Sequence, residues 1–90
     1  MYQVKIYHHR PYIRRGDLED ETILSASENF KLRKDAKAYI ETKLKSLKNV
    51  KRGYVKTGTS YCIGFTGKSW TNENTGDEHD ESYKFYLTKL

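Results

Sequence analysis

Ninety residues, with 17 Lys and Arg against 12 Asp and Glu, make a short polar chain of net charge +5. A chain of this size holds one core, so a single domain is expected over residues 1–90. One cysteine, Cys62, excludes an internal disulfide framework and suits a reducing compartment. The opening Met1-Tyr2-Gln3-Val4-Lys5-Ile6 has no apolar run behind a basic segment. Neither a signal peptide nor a membrane anchor is expected, and the default address is cytoplasmic.

In chain order, Tyr2, Val4 and Ile6 alternate with Gln3, Lys5 and Tyr7, a period of two that predicts a half-buried strand over Tyr2 to His8. Pro11 removes a ladder donor, so the strand is expected to end near Arg10, with an exposed loop from Arg14 to Glu21. Thr22 to Phe30 reads as a second strand because Thr22, Ile23 and Leu24 favour extended backbone. The alternative is a helix starting near Ser27, since Ser25-Ala26-Ser27-Glu28 has capping-box spacing.

From Arg33 to Lys48 the period becomes helical. Ala36, Ile40, Leu44 and Leu47 form an apolar stripe with Tyr39 beside it, and Lys37, Glu41 and Lys45 form a ladder on the opposite side. Lys45 and Lys48 suit the negative end of the helix, and Asn49 is the expected terminator. Val50 to Lys56 and Thr59 to Thr66 then read as a hairpin turning at Thr57-Gly58, with Tyr61, Ile63 and Phe65 as its core set. Gly67 to Glu81 is expected to be a long loop, for its turn formers Asn72, Asn74, Gly76 and Asp77 accompany no periodic apolar signal. A last strand runs from Ser82 to Lys89, with Tyr83, Phe85 and Leu87 on one side. The order β-β-α-β-β-β predicts an α+β two-layer sandwich, one helix on a mainly antiparallel sheet of four or five strands, the strand of residues 59–66 central. Partners for the terminal strand stay open between the first strand and that of residues 50–56.

Charge is uneven. Residues 1–16 hold Lys5, Arg10, Arg14 and Arg15 and no acid, whereas residues 17–30 hold Asp17, Glu19, Asp20, Glu21 and Glu28 and no base. Residues 31–56 set ten bases against Asp35 and Glu41, and Trp70 to Glu81 carries five acids without Lys or Arg. Such asymmetry suggests an anionic partner.

Catalytic parts are not expected. Cys62 falls in mid-strand, far in sequence from His8, His9 and His79, and reads as a small buried hydrophobe. The adjacent His8 and His9 point to opposite faces of a strand and do not chelate as a pair, and the loop Asn72 to Asp77 lacks EF-hand spacing. No glycine-rich phosphate cradle precedes the helix. Neither a metal nor a cofactor is expected, and no small-molecule substrate or membrane partner is indicated.

Two binding surfaces stand out. Lys5, Tyr7, Lys84 and Tyr86 fall on the strand face opposite the core, where rings can stack on bases and ammonium groups can hold phosphates. A second runs along Lys34, Lys37, Lys45, Lys48, Lys51, Arg52 and Lys56 and suits a phosphate backbone without regard to sequence. Phe30 to Ile40 resembles the strand-to-helix entry of many small α+β proteins, with Leu32 where a capping Ser or Thr usually stands. Usage of Lys, Tyr and Asn resembles that of small accessory proteins from phages and plasmids of AT-rich bacteria. The expectation is a non-enzymatic nucleic-acid-binding accessory protein; the alternative is a protein-interaction module, as a homodimer or on a foreign partner.

Overall fold

The computed structural model describes residues 1–47, 49–52 and 60–90, residues 49–52 by their backbone. Its elements are β1 (Tyr2–Arg14), β2 (Asp17–Phe30), α1 (Arg33–Leu44), β3 (Asn49–Arg52), β4 (Cys62–Thr71) and β5 (Glu78–Lys89). All pairings are antiparallel and the order is β2-β1-β5-β4-β3. α1 covers one face of this sheet, which makes the domain a two-layer α+β sandwich. The terminal strand thus takes the centre, between β1 and β4, and the expectation that the strand of residues 59–66 would do so is corrected.

The core grows from the inner face. Ile6 lies opposite Phe85, and Phe85 opposite Cys62, so three strands present one cross-strand row. Val4, Ile6, Cys62 and Phe85 are buried in one cluster with Ala36, Ile40 and Leu44 of α1. Each large apolar side chain in it contributes about 1.5–3 kcal/mol by leaving water. Tyr39 seats the helix on β2 through a ring contact of 5.3 Å with Phe30.

The core set of β4 is the reverse of the one expected. Cys62 and Gly64 face the helix and Ile63 and Phe65 are only half-buried, while Tyr61, just before the strand, does pack against the core as expected. Steric room explains the choice. A Cβ on Gly64 would overlap Leu47 Cδ1 and stand 3.1 Å from Leu44 Cδ2, so the end of the helical segment packs on backbone that only glycine leaves open. The helix also ends at Leu44, not Lys48; Leu47 N donates to Leu44 O in a following turn (2.9 Å), and Asn49 already belongs to β3. The Thr57-Gly58 turn lies outside the described residues.

Both expected loops, Arg14 to Glu21 and Gly67 to Glu81, are strands over much of their length. β1 continues through Pro11 to Arg14, and β2 begins at Asp17, leaving a turn of Arg15 and Gly16 with φ of 52° and 82°. Two positive φ values in succession are those of a type I′ hairpin turn, matched to strand twist. Pairing of β1 with β5 stops at His9 and Ser82, two residues before Pro11, while pairing with β2 runs on to Arg14. The missing proline N–H therefore falls where β1 has no partner on its β5 side. At the other hairpin β4 reaches Thr71 and β5 starts at Glu78. The turn between them is closed by Asn72 N to Asp77 O (2.8 Å) and Gly76 N to Asn72 O (2.7 Å).

A 12-residue helix is about 18 Å long, whereas a 13-residue strand such as β1 runs about 43 Å, so α1 cannot cover the sheet. The molecule is 48 Å long and 22 Å wide, and no core residue falls within 8–24 or 66–82. The two hairpin ends thus project beyond the helix.

Candidate functional site

Among the described residues only α1 packs on the sheet, and its buried side chains meet the inner face. On the outer face, alternation places Lys5 and Tyr7 on β1 and Lys84 and Tyr86 on β5. Register sets Lys5 opposite Tyr86 and Tyr7 opposite Lys84. The result is a two-by-two block with tyrosines on one diagonal and lysines on the other. The tyrosine rings meet edge to face, with centroids 5.4 Å apart and planes at 88°. Within the described residues neither lysine forms an ion pair with a carboxylate, and all four side chains are half-buried. Such a block offers an aromatic surface flanked by two ammonium groups.

Ile63 and Phe65 extend the block onto β4, opposite Lys84 and Ser82. Sequence reasoning missed them by assigning them to the core. Their signal was the pair of small residues Cys62 and Gly64, which marks where a helix comes close.

The second expected surface is divided. Lys34, Lys37 and Lys45 are exposed on and just after α1, on the far side of the sheet from Lys5 and Lys84. In β3, Lys51 takes the register position opposite Ile63 and Arg52 that opposite Cys62, so the backbone places them in an outer-face row and an inner-face row respectively. Lys48 and Lys56 lie outside the described residues. No one face therefore unites the helix cations with Lys5, Lys84 and the Lys51 position.

The projecting ends hold another kind of electrostatics. Arg10 Nε donates to Glu21 at 2.6 Å, Tyr12 donates to Glu19 at 2.9 Å, and Arg14 stands 4.0 Å from Glu19. The basic first segment and the acidic second are thus the two sides of one hairpin and offset each other. The Glu19 carboxylate accepting its proton raises the Tyr12 pKa above 10.0. Burial, then the nearby Glu28 charge, raises that of Tyr39. All three histidines reach carboxylates: His8 reaches Glu81 (3.2 Å), while His9 (3.6 Å) and His79 (2.9 Å) converge on Asp20. His8 also stacks on Tyr83 at 4.3 Å. These contacts link β1, β2 and β5 where no helix lies over them.

On the inner face, where α1 ends, a half-open cavity of ≈ 350 Å³ lies between Leu47, Lys43 and the sheet residues Ile6, Ala26 and Phe85. Two of its hydroxyls are engaged within the chain: Ser46 Oγ donates to Lys43 O, and Thr66 Oγ1 accepts from Lys68 N. Cys62, buried at the edge of the core, is no exposed thiol. Among the described residues no helix is long and apolar enough to cross a membrane.

Comparison with known proteins yields no match to any family model, curated protein or solved structure.

Proposed function

We propose that this chain is a small non-enzymatic nucleic-acid-binding accessory protein that takes its ligand on the outer face of the sheet. The observation that carries the reading is the block of Lys5, Tyr7, Lys84 and Tyr86 on adjacent central strands, two rings and two ammonium groups that have no carboxylate partner among the described residues. Base stacking on a ring is worth about 1–3 kcal/mol, and each neutralised phosphate on a single strand adds about −0.7 to the salt slope. Two lysines therefore predict a slope near −1.4 in log affinity against log salt. Fluorescence anisotropy with labelled oligonucleotides at low salt tests this. Tyr7→Ala and Tyr86→Ala should each weaken binding by about 1–3 kcal/mol. Retention of no oligonucleotide at low salt sinks the reading.

A second reading, a protein-interaction module, is favoured by β2. This 14-residue edge strand is paired on one side only, with Ile23 and Leu24 exposed near its middle. Open edges accept strands from other chains. Light scattering that finds a concentration-independent monomer removes the homodimer form of it.

A further inference from the structure

Resting on that reading, we infer that the ligand is a short single-stranded segment lying across the strands, from β1 towards β3, and kept short by the acidic hairpin ends. Register defines the track: Tyr7 lies opposite Lys84, Lys84 opposite Ile63, and Ile63 opposite Lys51. This row crosses three inter-strand spacings, about 14 Å, and carries a ring on β1 and a lysine position on both β5 and β3. Lys5 and Tyr86 stand in the next outer-face row.

Along the strands the charge changes sign. Beyond His9 and Ser82 stand the carboxylates Asp20, opposite Pro11 and held by His9 and His79, and Asp80, opposite Ser69. Residues 8–24 and 66–82 together hold Arg10, Arg14, Arg15 and Lys68 against nine carboxylates, a net −5, which leaves +10 for the rest of the chain. Towards the other end the outer-face positions are Gln3 and Thr88, with no charge. A polyanion running lengthwise would leave its cations on one side and enter a repulsive field on the other. Crossing the strands keeps it on Lys84 and the Lys51 register position of β3. Unpaired bases are needed because the rings lie in the sheet surface, where a duplex presents its backbone and not its base faces.

The experiment uses oligothymidylates of four, eight and sixteen nucleotides and a duplex of matching length, with anisotropy for affinity and calorimetry for stoichiometry. Affinity should rise by no more than about fivefold from four nucleotides to eight, the sixteen-mer should take more than one copy, and the duplex should bind at least about tenfold more weakly. Lys51→Gln should weaken the four-mer about as much as Lys84→Gln. Asp80→Asn should raise affinity for the eight-mer and leave the four-mer within about twofold; Asp20→Asn should add to this, and Asp80 alone suffices should loss of the Asp20 contacts loosen the hairpin. An affinity that climbs steadily to sixteen nucleotides at one copy per strand, or equal duplex binding, overturns the inference and leaves the proposed function standing. Failure of every oligonucleotide to bind removes both.

Discussion

In the covered half of the sheet, Ile6, Phe85 and Cys62 form an apolar row clustered with Ile40 and Leu44; further along the same strands the contacts are Arg10 with Glu21, Tyr12 with Glu19 and His79 with Asp20. One half is held by water exclusion and close packing, the other by a continuous backbone ladder and polar pairs at its surface. The difference teaches that charge along a sequence is not charge on a surface. The opposed poles of residues 1–16 and 17–30 mark no binding face, for they largely answer each other across a hairpin.

The comparison is broken most directly at Phe85. Phe85→Ala should cost about 3–5 kcal/mol, read as a lowered urea midpoint, because the cavity opens at the meeting of three strands and the helix. A cost near 1 kcal/mol would mean that the covered half does not carry the stability. Gly64→Val comes next, at about 1–3 kcal/mol, since its branches must displace Leu47 and Leu44. A neutral result would mean that the helix end packs elsewhere.

In the projecting half the same measurement should be nearly silent. Arg10→Gln removes an exposed pair and should cost at most about 1 kcal/mol, with faster amide exchange confined to residues 8–24. A larger loss spread over the whole chain would erase the distinction between the halves. The smallest effect is alkaline. Tyr12 keeps its proton more tightly when folded than when unfolded, so its bond to Glu19 contributes below the ordinary tyrosine range and is lost as the pH rises through its raised value. Ultraviolet titration of tyrosinate should show a late phase to which Tyr12 and Tyr39 both contribute, and Tyr12→Phe should remove only the Tyr12 share and leave core exchange rates unchanged.

Elements with one buried side were legible because burial imposes a period. The stripe Ala36, Ile40 and Leu44, the Tyr2 to Ile6 alternation and the Tyr83, Phe85, Leu87 set each face the core where expected. Residues 10–21 and 67–81 gave no such signal, for Pro11 is the one buried residue among them, and strands that bury so little need no apolar alternation and read as loop by their polar composition. The outer-face block was legible as four residues on one side of two strands. That they stand on neighbouring strands, in register, was not.

The sequence by itself determined the order of elements, the helix face and the split of β1 and β5 into core and outer sides, because each follows from local periodicity against a single core. Tertiary structure alone decided that β5 enters between β1 and β4, that Cys62 and Gly64 face the helix in place of Ile63 and Phe65, and that the helix cations lie across the sheet from Lys5 and Lys84. Those choices depend on strand pairing between residues as far apart as Tyr2 and Lys89 and on the space that Leu44 and Leu47 require. No local pattern encodes either.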